Sequence, residues 1–170
     1  MGGSICVVST PGAGSKFSFS VEFPIVETSP ERDSSRPVMG KLAAKHPILV
    51  VEDNPVNQKV ATAMLRSFDL PVDLARDGLE GVEKCLTREY SAVLMDCQMP
   101  GMDGFEATRR IRSGGRYSVP IIALTAAVAR SDRKLAMEAG MDDFLPKPIE
   151  RLELAELLAR WLGQSPRGPI

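Results

Sequence analysis

The 170-residue chain predicts an α/β fold: a doubly wound, five-stranded parallel sheet preceded by a β-hairpin and a linker. Three observations carry this. Short apolar runs alternate with helical periodicities from about residue 46 to residue 163. Those runs are apolar throughout, as strands covered on both faces are. Near the start, strict period-2 alternation flanks a Pro/Gly turn instead.

The hairpin comes first, over residues 1–24. Ile5 and Val7 alternate with Cys6 and Val8; Phe17, Phe19, Val21 and Phe23 alternate with Ser18, Ser20 and Glu22. Pro11-Gly12-Ala13-Gly14 separates the two runs. Such a pair reads as a β-hairpin with one apolar face, marginal by itself. Residues 25–45 hold Ser29, Pro30, Ser34, Ser35 and Pro37 among mixed charges with no period, the composition of a flexible linker.

Ile48-Leu49-Val50-Val51 is the first strand of the larger unit, residues 46–163. Asn54 and Pro55 supply an N-cap and a first-turn proline. Val56, Val60 and Met64 recur at i, i+4 and i+8 and mark a helix face. Val72 and Leu74 make the next strand, and a helix follows from about Gly78 with Leu79, Val82 and Leu86 expected inward. Ala92-Val93-Leu94-Met95 is the third strand and ends at Asp96. Asp103 and Glu106 have capping-box spacing and open a helix closed by Gly114-Gly115. The fourth strand spans Val119 to Leu124, and a helix over residues 131–139 stops at Gly140. Phe144-Leu145 is a short fifth strand. Leu152, Leu154, Leu157, Leu158 and Trp161 lie on a last helix, and residues 164–170 form a tail. Five β-α units at this spacing imply a parallel sheet with helices on both faces.

Composition narrows the function. At 44% hydrophobic residues the chain can bury a core, and a formal net charge of −1 gives no pull toward nucleic acid or an anionic membrane. No aromatic residues interleave with basic ones as single-stranded nucleic acid would favour. Cys6, Cys85 and Cys97 form no C-x-x-C pair, and with one histidine a zinc site lacks ligands. They read as reduced thiols. No apolar run reaches the roughly 20 residues of a membrane span, and Met1-Gly2-Gly3-Ser4 does not open a signal peptide. A cytoplasmic chain with no membrane contact is expected, whether or not a longer parent is membrane-anchored.

The chemistry gathers at one edge. Ligands of open α/β sheets bind outside the carboxyl ends of the strands. There the sequence places Glu52 and Asp53, then Asp96, then Thr125, then Lys147. If the first and third strands are neighbours, three carboxylates converge and need a counter-charge. Oxygen-only donors select Mg2+, with Mn2+ as an alternative. A phosphoryl group would then fit between the cation and Lys147, with the Thr125 hydroxyl donating to another of its oxygens. A carboxylate can itself be the nucleophile in phosphoryl transfer. Each residue also has a plainer role. Glu52-Asp53 can cap the following helix, Asp103 is assigned to capping, and Thr125 or Lys147 alone would carry no function. Only the set is specific.

Ile48 to Asn54, Val93 to Gly104, Leu124-Thr125-Ala126 and Lys147-Pro148 resemble the signatures of response-regulator receiver domains, in order over about 115 residues. The resemblance implies a flavodoxin-like strand order of 2-1-3-4-5. It implies that Asp96 is the phosphorylated residue, that Asp53 binds Mg2+ directly and Glu52 through water, and that the Gln98 backbone carbonyl completes the protein ligands. Thr125 and Phe144 become the switch pair, and Lys147-Pro148 is expected to be cis. Gln98 and Ala127 would influence phosphoryl lifetime. Residues 1–24 resemble the closing hairpin of a histidine-kinase ATP-binding domain. The parent would then be a hybrid sensor histidine kinase. Neither a histidine box nor an ATP site is in this chain, and His46 is misplaced for a phosphodonor.

The expected function is therefore phosphoacceptance on Asp96 from a phosphohistidine. The partner would be the parent's dimerisation domain, a histidine phosphotransfer protein, or both, engaged through Asn54-Pro55-Val56, the first helix and the Lys147-Pro148-Ile149 loop. Three other readings fit the residues less well. A stand-alone regulator would lack an output domain here. A phosphohydrolase would place D-x-D after its first strand, where this chain has adjacent Glu52-Asp53. A degenerate receiver would lack site residues that this chain has.

Overall fold

The computed structural model describes residues 3–10, 12, 14–21, 42–116, 118–126 and 130–163. Most of the expected linker, the 164–170 tail, Phe23 and Ala127 lie outside them. The chain divides into two compact units, residues 1–38 and 39–170.

In the first unit, β1 (Gly3–Thr10) pairs antiparallel with β2 (Gly14–Val21). Ile5 lies opposite Phe19 and Val7 opposite Phe17, so the four share one face of the ribbon. Ser4 faces Ser20 on the other side, their hydroxyls 2.9 Å apart. Gly12 and Gly14 bring the chain round with φ of +79° and +96°, backbone that residues with a Cβ rarely adopt.

The second unit is a five-stranded parallel sheet. Its strands are β3 (Ile48–Val51), β4 (Val72–Ala75), β5 (Ala92–Asp96), β6 (Ile121–Thr125) and β7 (Asp143–Pro146). They run in the order β4-β3-β5-β6-β7, which is 2-1-3-4-5 counted within this unit. Its helices are α1 (Pro55–Arg66), α2 (Gly78–Thr87), α3 (Gly104–Ser113), α4 (Arg130–Ala139) and α5 (Arg151–Leu162). Alternation along each strand splits the core in two. Leu49, Val51, Val93, Met95, Ile121 and Ala123 pack with Val82, Cys85, Ala107, Ile111 and Ala136 of α2 to α4. Ile48, Val50, Leu94, Ile122 and Leu124 pack with Ala61 and Leu65 of α1 and with Leu154, Leu158 and Trp161 of α5. Each strand residue thus meets helices above or below, which is why the runs carry no polar alternation. Leu42 and Ala44 pack against the second cluster, so apolar packing reaches back into the segment expected as linker.

Two helices bury only part of the row expected, Val82 and in part Met64, and draw the rest of their buried face from other residues. In α1 the sheet-facing residues are Ala61 and Leu65, with Met64 beside them, while Val56 is 64% and Val60 44% exposed. In α2 the buried residues are Gly78, Gly81, Val82 and Cys85, and Leu79 and Leu86 are exposed. Small residues decide this. A Cβ on Gly81 would stand 2.9 Å from a Val51 methyl, so α2 packs on its glycine face and turns its leucines outward. Leu152 of α5 is likewise exposed. The strand expected from Val119 starts at Ile121 instead, because Pro120 has no N–H to donate. The Lys147-Pro148 bond is cis.

Candidate functional site

The topology reverses direction between β3 and β5, and the register pairs Val51 with Met95. The next residue of each chain is a carboxylate: Glu52 beyond β3, Asp96 at the end of β5. Asp53 follows Glu52. One oxygen from each of Glu52, Asp53 and Asp96 lies within 4.8 Å of the others. Glu52 is 2% and Asp96 4% exposed, while Asp53 stands open to solvent. Lys147 arrives from beyond β7, held by its backbone N–H donating to the Thr125 carbonyl at 2.7 Å. Its ammonium lies 2.7 Å from Glu52 Oε2 and 2.8 Å from Asp96 Oδ2.

Two buried carboxylates therefore face one ammonium, with a third carboxylate nearby. Both buried ones are partly satisfied by donors. Glu52 Oε1 accepts from the Asn54 N–H at 3.3 Å and from Asn57 Nδ2 at 2.9 Å; Asp96 Oδ1 accepts from the Gln98 N–H at 3.1 Å. Burial pushes the Asp96 carboxyl above its ordinary value and Glu52 adds to that, against Lys147 and the Gln98 N–H, which pull it down. Burial alone would lower Lys147, but its hydrogen bonds to Asp96 and Glu52 outweigh burial and hold the ammonium above its ordinary value. Electrostatically the cluster favours additional positive charge. An oxygen-only set of this kind suits a hard divalent cation.

The other expected residues fall as follows. Thr125 ends β6 opposite Pro146, and Phe144 lies opposite Ala123. Period-2 alternation places Thr125 and Phe144 on the same face of the sheet. Phe144 is half-buried under the Arg133 guanidinium, 4.3 Å from its ring centre. Gln98 is exposed just past β5, and its N–H donates to Asp96 Oδ1. Asp103 caps α3 as expected, accepting from the Glu106 N–H at 2.7 Å. The Glu106 carboxylate pairs instead with Arg109 and Arg110.

Three positioning residues were not singled out from sequence. Asn57 reaches Glu52 Oε1, and Gln58 Nε2 donates to the Glu52 carbonyl at 2.6 Å. Asn57 shares the inward i, i+4, i+8 row with buried Ala61 and Leu65, and a polar residue on that row is the signal that could have found it. Gly104 is the third. A Cβ there would stand 2.1 Å from the Asp96 carbonyl oxygen, so only glycine lets α3 begin beneath the acceptor.

A family model described as the response regulator receiver domain matches residues 48–159, more than half of the chain. Sensor protein GacS of Pseudomonas syringae pv. syringae is 36% identical over 126 residues, covering 72% of this chain and 14% of the relative. Hybrid signal transduction histidine kinase L of Dictyostelium discoideum is 37% identical over 138 residues, covering 77% of this chain and 8% of the relative. The chain thus spans only a small part of these relatives. The receiver domain of a Pseudomonas aeruginosa PAO1 sensor histidine kinase, crystallised with a magnesium ion coordinated in its active-site cleft, is 50% identical. It superposes with a TM-score of 0.65 over 70% of this chain and 98% of that one. The Saccharomyces cerevisiae Ssk1 receiver domain, in a co-crystal with the histidine phosphotransfer protein Ypd1, is 30% identical. Its TM-score is 0.66 over 69% of this chain and 89% of that one.

Proposed function

This chain belongs to the response regulator receiver domain family, and from that premise we propose that Asp96 accepts a phosphoryl group from a phosphohistidine in a relay. The observation that carries the reading is Lys147, whose ammonium touches Asp96 at 2.8 Å and Glu52 at 2.7 Å within a cluster of three acids. An Asp96 oxygen attacks phosphorus, the N–P bond of the phosphohistidine breaks, and the imidazole leaves with the bonding electrons. An O–P bond to Asp96 forms in its place. Lys147 favours the charged acceptor against burial and offers a point charge to the phosphoryl oxygens. The Thr125 hydroxyl donates to another of those oxygens, and Thr125 with Phe144 reads out the change.

Glu52, Asp53, Asp96 and the Gln98 carbonyl would hold Mg2+, or Mn2+ in its place. Bound there, the cation neutralises the acids and the charge brought by the phosphoryl group. The chain's own share is positioning and charge stabilisation. Buried Glu52 and Asp96 are fixed by backbone and side-chain donors, and Gly104 sets the Asp96 backbone.

Partner recognition falls to Asn54-Pro55-Val56, α1 and the Lys147-Pro148-Ile149 loop. Exposed Val56 and Val60 give this rim an apolar face, which suits the helices of a histidine phosphotransfer protein or of the parent's dimerisation domain. The Ypd1–Ssk1 co-crystal supports that kind of partner. We read residues 1–24 as the last hairpin of a kinase ATP-binding domain, 25–45 as linker, 46–163 as receiver and 164–170 as tail, in a cytoplasmic part of a hybrid kinase. Among the described residues no helix is long and apolar enough to cross a membrane. The coding sequence upstream of Met1 checks this context: a histidine box and ATP lid there support it, and an unrelated domain overturns it.

The acceptor itself is tested by incubating the chain with Mg2+ and a phosphorylated histidine phosphotransfer protein. Wild type is expected to take up label and Asp96→Asn none. Undiminished labelling of Asp96→Asn sinks the assignment.

A further inference from the structure

We infer that Asn57 is a positioning residue for the cation cleft, holding the Glu52 carboxylate in the one orientation that leaves a single oxygen toward Asp96 and Lys147. The role rests on the reading of the cleft as a magnesium site.

Glutamate at position 52 creates the need. Its side chain has one more rotatable bond than aspartate, and ordering it removes rotamer freedom. A carboxylate that is 2% exposed must also be satisfied at both oxygens. Oε2 meets the Lys147 ammonium at 2.7 Å. Oε1 meets the Asn57 amide at 2.9 Å, with the Asn54 N–H at a longer 3.3 Å. Only the nitrogen end of an asparagine amide can donate to a carboxylate, so the contact has a defined sense. The anchor is itself well held. Asn57 sits in the first turn of α1, where Asn54 caps the helix by accepting from the Val56 N–H at 2.9 Å. Its neighbour Gln58 grips the Glu52 carbonyl at 2.6 Å. Backbone and carboxylate of Glu52 are thus tied to consecutive residues of one helical turn.

The two oxygens then divide their work. The one bound by Asn57 is committed to the protein. The other faces Asp96 across the lysine and is the one able to turn to a cation. Without Asn57, Glu52 can rotate, and the cleft must order it whenever a cation binds. Outer partners of metal-binding groups act in this way. The Gln58 contact would still hold the backbone, so the loss is expected in cation affinity more than in folding.

A double-mutant cycle on the 170-residue chain tests this, with Mg2+ as the titrant and binding followed by calorimetry and by amide shifts near Asp96. Asn57→Ala is expected to weaken Mg2+ binding about tenfold in the wild-type background. In a Glu52→Ala background the same change is expected to alter binding less than about twofold, since nothing remains to be positioned. Asn57→Ser, which keeps a small polar residue in the turn, serves if the alanine variant melts early. Equal losses in both backgrounds, or no loss in wild type, overturn the role of Asn57. Absence of any Mg2+ binding by wild type overturns the cation reading instead.

Discussion

The sheet carries a partly buried cation paired with carboxylate at each end, and the two are built differently. At the amino edge, the Arg112 guanidinium donates to the carbonyls of Gly140, Arg116 and Val119 at 2.9, 2.6 and 2.8 Å and to Asp142 Oδ2 at 2.7 Å. Asp142 Oδ2 accepts in turn from the Ile121 N–H at 2.8 Å. In these contacts one cation meets one carboxylate, and backbone carbonyls and an N–H also meet the pair. At the carboxyl edge, one ammonium faces two buried carboxylates with a third nearby. A balanced pair locks α3 to the starts of β6 and β7. An unbalanced cluster keeps a demand for positive charge, which a divalent cation can answer and which a phosphoryl group, itself negative, would deepen.

The contrast can be broken from either end. Asp96→Asn is expected to abolish labelling while leaving stability unchanged or slightly raised, since one of three crowded carboxylates loses its charge; denaturant unfolding checks this. Arg112→Ala is expected to do the reverse. It strands Asp142 half-buried and costs about 3–5 kcal/mol of unfolding free energy, with labelling of the folded fraction preserved. Lys147→Ala is expected to slow labelling about 100-fold in a time course, by removing the charge that meets the phosphoryl oxygens. Mg2+ at ten times its Kd should raise wild-type stability by about 1.4 kcal/mol and leave Arg112→Ala with the same increment, whereas Asp53→Asn should gain far less.

The smallest effect concerns Asp73 of β4, a balanced cluster like that of Arg112. Burial alone would raise its carboxyl, but hydrogen bonds from Tyr90, the Leu74 N–H and Lys84 outweigh burial and hold it below its ordinary value of 3.8. A carboxyl lowered on folding contributes fully at pH above that ordinary value and loses its contribution as pH falls through the lowered one. Tyr90→Phe should therefore cost about 1 kcal/mol near neutrality, a gap that narrows in acid. A gap of constant size across an acid titration would contradict it.

Much of this was legible in the sequence because strand ends are unambiguous. An apolar run that stops at Glu52-Asp53 or at Asp96 places its carboxylates at the sheet edge wherever the helices lie. The helix faces were less legible. Periodicity in α1 marked Val56 and Val60, yet the sheet takes the neighbouring row of Ala61 and Leu65, which are 1% and 0% exposed. Gly81 hides the same way, since a glycine adds nothing to an apolar pattern but decides which side of α2 can meet Val51. Asn57 is hard to read from sequence for a related reason: its proposed role depends on its row facing inward. On the proposed docking role the outward valines would have a use, because apolar residues beside a charged cleft suit partner docking.

The central claim is that Asp96 is the acceptor, and reductive trapping reads it directly. After incubation with Mg2+ and a phosphohistidine donor, borohydride converts an acyl phosphate to an alcohol, and peptide mass spectrometry locates the change. Conversion of Asp96 to homoserine, dependent on both donor and Mg2+, is the expected result. Conversion at Asp53 or Glu52 with Asp96 intact would contradict it.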